Sequence, residues 1–379
     1  MPAGTVKNLV YRAALPVTVR RPALTAAYTG EPLRHAEELL KLLRRERVQG
    51  ASVLIGDGEC RAQALVSMPD KPVGDDSLFR VASVTKMATA LVILRLCAEG
   101  AFSLDTPAAA LLPESSLPKE ITLRQLLSHT SGLRDIPACD RALAEGGTFE
   151  EVLRAGAVQS APGAQFAYCN FGFGLLGCVM ESATGEPLPR VFERELLRPL
   201  GMNGAIDGST VEETRIVPIR RVLSRRPQPM VTVTPLGRKP LTAADPLRHF
   251  GHTAGALYTD AISLDRLTDA VLGRVPGYLP ETLLREMTAP QASYGRLDRR
   301  LRYGLGLLLV EETRVPGLRL IGHQGYAYGC VDGVFADPAT GRRLISLNGG
   351  ASEARSGRLG CVNHGLIRWA FGRELPSWM

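Results

Sequence analysis

The stretch Phe79-Arg80-Val81-Ala82-Ser83-Val84-Thr85-Lys86 sets a serine at the start of an expected helix, with a lysine three residues on. One helical turn separates them, so both lie on one face. A serine hydroxyl is a weak nucleophile until a base takes its proton, and a lysine serves when burial and nearby charge depress its pKa. Free N–H groups at a helix start can also receive a developing oxyanion. The same spacing recurs at Ser116-Leu117-Pro118-Lys119. There, Pro118 and the nearby Pro113-Glu114 make a surface turn, whereas the first copy runs on into the apolar face of Met87, Leu91 and Leu94.

Working outward, residues 48–55 and 61–68 read as two β-rich runs joined through Gly56-Asp57-Gly58, which is hairpin chemistry. Near the other end, residues 301–310, 318–322, 330–336 and 343–347 are again strand-like, separated by turns such as Asp337-Pro338 and Thr340-Gly341. Between them the period is helical over 84–98, 123–127, 149–158, 171–182, 189–197 and 263–272. Amphipathic stretches at 33–44 and 360–371 can pack back on the sheet. This pattern predicts an α+β fold: an antiparallel β-sheet flanked by N- and C-terminal helices, with a mainly α-helical insertion. Residues 1–75 and 255–379 then form the sheet region and 76–254 the helical region, with the active site between them.

Composition narrows the class. The 379 residues are 45% hydrophobic and 22% charged, as in an ordinary globular protein. No apolar run approaches the roughly 20 residues that span a bilayer; the run over 91–96 is broken by Arg95. The moderately apolar segment 9–19 contains Arg12 and Pro16 and reads as mature sequence rather than a secretion signal. Seven cysteines (Cys60, Cys97, Cys139, Cys169, Cys178, Cys330 and Cys361) show no metal-ligand or C-x-x-C spacing, so free thiols in the cytoplasm are expected, with no metal and no cofactor. The charge of +7 gathers partly at Arg215, Arg220, Arg221, Arg225 and Arg226. Pro218, Pro227 and Pro229 interrupt that run and no aromatics interleave it, which predicts a solvated loop and no nucleic-acid partner. The sequence leaves the oligomeric state open.

Two more constellations carry chemistry. Tyr168-Cys169-Asn170 precedes a helix; a tyrosine beside an ammonium can relay protons, and the asparagine can hydrogen-bond a substrate amide or simply cap the helix. His323-Gln324-Gly325 follows a predicted strand, where a glycine lets substrate approach the backbone. His249-Phe250-Gly251 repeats the H-x-G pattern without a strand before it. Gly172-Phe173-Gly174-Leu175-Leu176-Gly177 matches a dinucleotide fingerprint, but Pro162-Gly163-Ala164-Gln165 leaves no room for the strand it needs.

In order along the chain, the Phe79–Lys86 phrase, Leu126-Leu127-Ser128-His129-Thr130-Ser131-Gly132-Leu133, Tyr168-Cys169-Asn170 and His323-Gln324-Gly325 resemble the serine β-lactamase and penicillin-binding family. They are most similar to its class C branch, with its D-alanyl-D-alanine carboxypeptidase, D-amino-acid peptidase and esterase relatives. The resemblance implies that Ser83 is acylated while Lys86 and Tyr168 share the base and acid roles. Asn170 would bind substrate, His323 and Gly325 would form the edge strand, and the N–H groups of Ser83 and Tyr326 would form the oxyanion hole. In this family the His129 phrase is structural. The third motif departs from the pattern, with His323 standing where β-lactamases usually carry lysine. A histidine near its ordinary pKa is only partly charged at pH 7, so an ester, amide or peptide substrate is expected ahead of penicillins. β-Lactamase activity, or an acyl-binding module that stalls after acylation, are the alternatives. Pocket walls are expected from 203–250.

Overall fold

In the computed structural model the hairpin expected across Gly56-Asp57-Gly58 pairs β2 (Ala51–Gly56) with β3 (Arg61–Ser67). Asp57 closes the turn by accepting the N–H groups of Glu59 and Cys60, and Gly58 supplies the left-handed backbone at φ 103°. The structure describes Asn8 and residues 12–15, 21–70, 72–112, 115–222, 240–311 and 317–372. Most of the 9–19 segment, Pro113-Glu114, and Arg225, Arg226, Pro227 and Pro229 therefore lie outside the described residues.

The hairpin sits in a nine-stranded sheet in which every pairing is antiparallel. Its other members are β1 (Thr25–Gly30), β7 (Ala292–Ser293), β8 (Leu301–Tyr303), β9 (Leu308–Val310), β10 (Leu320–Ala327), β11 (Cys330–Ala336) and β12 (Arg343–Asn348). The order is β1-β3-β2-β12-β11-β10-β9-β8-β7, so β12 joins the two ends of the chain by pairing with β2. A small sheet of β4 (Phe79–Arg80), β5 (Gly204–Ala205) and β6 (Tyr258–Thr259) lies outside it.

Alternation along the strands fixes the two faces. Val53, Ala64, Val331, Phe335 and Leu344 pack with Leu39, Leu43, Val362 and Leu366 of the helices Ala36–Arg45 and Cys361–Phe371. Leu54, Leu65, Val334 and Ile345 face the other way, onto the helices Thr85–Ala98 and Ala261–Val271. The first of these is buried on nearly every side, as befits a central helix.

Three expectations change. The strand expected to stop at Gly322 continues to Ala327, so His323 lies inside β10, opposite Val334, rather than after a strand. The described part of the arginine-rich stretch is not a solvated loop. Ile216 bridges Leu78, Ile219 is buried, and the Arg220 N–H donates to the Gly349 carbonyl, which ties this segment to the sheet. The helix expected over 149–158 ends at Arg154.

Candidate active site

Antiparallel pairing of Phe79 with Thr259, and the Val81 N–H on the Leu257 carbonyl, fix the approach to Ser83. The chain then tightens into a 3-10 turn, Ala82–Val84, with Ala82 at φ 44°, before the helix Thr85–Ala98 begins. A non-glycine residue pays strain for that angle. Packing holds it, since Ala82 is buried with Ile219 and Cys330. The segment Thr253–Leu257 is stitched to the same helix: Thr89 donates to the Thr253 carbonyl and Thr85 accepts the Leu257 N–H.

Lys86 is fully buried one turn beyond Ser83. Its Nζ lies 3.2 Å from Ser83 Oγ, 2.8 Å from Asn170 Oδ1 and 2.7 Å from the Ala254 carbonyl. Burial above all, helped by the Arg80 charge and opposed by Asp135 and Cys169, lowers its pKa from 10.5 to about 7. A neutral amine has two N–H donors and one lone pair. Two of its three neighbours are carbonyl oxygens, which can only accept, so the lone pair is left for the Ser83 hydroxyl.

Tyr168 shares a hydrogen bond with Ser83, and its ring centre lies 4.9 Å from the Lys86 Nζ. Burial pushes its pKa upward, so it is a neutral phenol at ordinary pH. His129 buttresses it: the two ring centres are 4.3 Å apart, and His129 Nδ1 accepts the Cys169 N–H at 3.1 Å. Burial and the Lys86 charge keep this imidazole neutral.

Asn170 opens the helix Asn170–Thr184. Its orientation comes from Asp135, which the sequence reading missed. That carboxylate accepts the N–H groups of Asn170 and Phe171 and the Asn170 Nδ2 at 2.9–3.1 Å, leaving Oδ1 turned toward Lys86. The only signal for it was its position two residues after Leu133.

The third motif requires corrections. His323 does not present a partly charged ring to the cleft. It is buried, with Nδ1 2.8 Å from the Gln324 carbonyl and Nε2 2.9 Å from the Tyr303 hydroxyl. Those neighbours fit the tautomer that carries its proton on Nδ1. Burial, then the Lys86 charge, lowers its pKa to about 3. Gly325 is required by the protein's own packing: a Cβ there would lie 2.5 Å from the Val81 carbonyl oxygen. The Tyr326 side chain turns to the opposite face, hydrogen-bonding the Glu353 carbonyl beneath Arg355, so only its backbone can serve the site.

The other motifs fall elsewhere. Ser116 is exposed and lies outside any helix or strand. His249 pairs with buried Glu181. The glycine fingerprint lies inside the helix Asn170–Thr184, where Gly174 makes room for the Phe250 backbone: an added Cβ would come 1.5 Å from its carbonyl oxygen.

A serine at a helix start, in contact with a buried lysine and a tyrosine beneath an antiparallel sheet, defines the class of serine hydrolases that work through an acyl-enzyme. The chain belongs to the Beta-lactamase family, whose profile matches residues 34–349. It is 30% identical over 364 residues to Esterase EstB of Burkholderia gladioli, covering 84% of this chain and 90% of that one. A shorter stretch of 138 residues is 36% identical to the D-alanyl-D-alanine-carboxypeptidase/endopeptidase AmpH of Escherichia coli K12, covering 34% of this chain and 36% of that one. Among solved structures, a D-stereospecific amidohydrolase from Streptomyces sp. superposes with a TM-score of 0.68 at 25% identity, over 90% of this chain and all of that one.

Proposed function

We propose that the protein hydrolyses neutral esters or amides through acylation of Ser83. The contact between the Ser83 hydroxyl and the one lone pair that a neutral Lys86 has to offer carries this reading. In the first half-reaction Lys86 takes the hydroxyl proton as Oγ bonds to the substrate carbonyl carbon. The resulting oxyanion is received by the backbone N–H groups of Ser83 and Tyr326. The proton on Lys86 then passes through the Tyr168 hydroxyl to the leaving alcohol or amine as its bond to the carbonyl carbon breaks. In the second half-reaction the same groups take a proton from water, which attacks the ester, and return one to Ser83. Asn170 holds Lys86 and, still exposed, can meet a substrate amide. The proposed catalytic side chains come from the helical region and β10 from the sheet region, which supports a cleft between the two.

A neutral His323 offers no fixed charge to a penicillin carboxylate, and a relative matched over 90% of its own length is named an esterase. Both observations favour a neutral ester or amide over a β-lactam. Seven free cysteines support a reducing, cytoplasmic location. Among the described residues, no helix is long and apolar enough to cross a membrane.

The test combines labelling and turnover. A fluorophosphonate probe should add one phosphonyl mass to the peptide holding Ser83, and Ser83→Ala should abolish it; modification at Ser116 would overturn the assignment. Short-chain p-nitrophenyl esters or D-amino-acid amides should show kcat/KM at least ~10²-fold above nitrocefin. Efficient penicillin hydrolysis would favour a β-lactamase, and a burst without steady turnover an acyl sensor.

A further inference from the structure

A groove of about 590 Å³ opens between the helices Ala261–Val271 and Glu281–Thr288 and the adjoining ends of β9 and β10. More of its lining is apolar than polar, and Val271, Leu279, Leu284, Leu309 and Ile321 supply apolar surface. Ile321 lies two residues from His323 on the same face of β10, so groove and catalytic site share a strand without sharing a lining residue. No side chain assigned above to the reaction reaches this groove. A concave apolar surface of this size with a few convergent polar groups is the usual form of a small-molecule site.

The rim says which kind. Four charged side chains line it: Glu281, Arg285, Glu311 and Arg319. Glu281 is paired with Arg285 at 3.5 Å, and Glu311 with Arg302 at 2.9 Å. Arg319 is exposed and has no ion-pair partner among the described residues. Among the described residues the groove therefore presents an apolar trough with one cation outside any ion pair at its edge. We propose that it binds a free medium-chain carboxylate, with the alkyl tail along Val271, Leu284, Leu309 and Ile321 and the carboxylate at Arg319. A guanidinium suits that head group because it can pair a carboxylate through two parallel N–H donors.

Binding is read directly by calorimetry on the Ser83→Ala protein, so the result does not depend on the catalytic reading. Octanoate, decanoate and dodecanoate should bind at one site, below their micelle concentrations, each added methylene tightening Kd about fourfold until the trough is full. Arg319→Glu should weaken decanoate at least tenfold while leaving decanol within about twofold, since only the charge contact is lost. Leu284→Arg, at a partly exposed wall position, should abolish binding of both ligands. Three results would overturn the proposal: decyltrimethylammonium binding as tightly as decanoate, Arg319→Glu having no effect, or Kd indifferent to chain length. Binding to anionic vesicles without binding to free decanoate would also overturn it, because the surface would then be a membrane contact.

Discussion

Titrating kcat/KM for a neutral p-nitrophenyl ester from about pH 5 to about pH 9 tests whether Lys86 is the base. With its pKa lowered to about 7, the neutral fraction is ~0.09 at pH 6, ~0.5 at pH 7 and ~0.9 at pH 8, so the rate should climb ~10-fold over those two units. A lysine left at 10.5 would be neutral in only ~0.03% of molecules at pH 7, so burial raises the active fraction by roughly 10³. The two histidines nearest the site cannot supply this inflection, since His323 is lowered to about 3 and His129 lies well below its ordinary value. The neighbouring charges give the assignment a signature. Asp135 raises the Lys86 pKa and Arg80 lowers it, so Asp135→Asn should move the acid limb to lower pH and Arg80→Met to higher pH. A profile flat between pH 6 and pH 8 would refute the reasoning, as would both variants moving it in the same direction.

Lys86→Ala and Tyr168→Phe should each cost on the order of 10²- to 10⁴-fold in kcat, and the double variant little more, because groups acting as one unit are non-additive; rates that multiply would separate them. The buried lysine also makes a stability prediction. Its folded pKa is lowered from 10.5 to about 7, so the folded state binds fewer protons than the unfolded chain between those values, and stability rises with pH across that window. Urea titrations should therefore show wild type gaining roughly 3 kcal/mol relative to Lys86→Met between pH 7 and pH 9.5, with no differential change below pH 6. Gly325→Ala, whose Cβ would meet the Val81 carbonyl at 2.5 Å, should cost about 1–3 kcal/mol of stability and lower kcat through a displaced Ser83 turn; full activity at wild-type stability would show that β10 can yield there.

Local chemistry made the Ser83–Lys86 contact and the central hairpin legible in the sequence. Ser83, in the 3-10 turn, and Lys86, in the helix it leads into, are three residues apart, and β2 and β3 meet across a four-residue turn, so neighbours in sequence are neighbours in space. What escaped depends on contacts between distant segments. Asp135 acquires its meaning only when residue 170 folds against it, 35 positions later. The glycines at 172, 174 and 177 match a nucleotide-binding pattern by spacing, yet two of them answer to the backbone of Phe250 and His249. Edge strand β1 has an almost wholly exposed TAAYTG sequence and so shows no apolar alternation. Burial misled most at His323: an H-x-G at a presumed strand end looked cleft-facing, whereas the strand runs on and the rings of Tyr303 and Tyr168 pack against the imidazole.

That burial changes the argument about substrate charge in kind rather than degree. A histidine near 6.5 would have been protonated in about a quarter of molecules at pH 7, and mild acidification would have turned it into a carboxylate receptor. With its pKa lowered to about 3, the imidazolium fraction at pH 7 is ~10⁻⁴. Acidification cannot recover it in time, because Lys86 takes up its proton near pH 7, about four units earlier, and with it loses the lone pair that faces Ser83. Where the base is free the imidazole is neutral, and where the imidazole is charged the base is blocked. The cause is shared: both side chains are buried, and Lys86, once charged, is itself one of the two influences that lower His323. No pH therefore gives this site an active base and a cationic third motif together, and the proposed preference for uncharged acyl groups would follow from the fold rather than from the buffer.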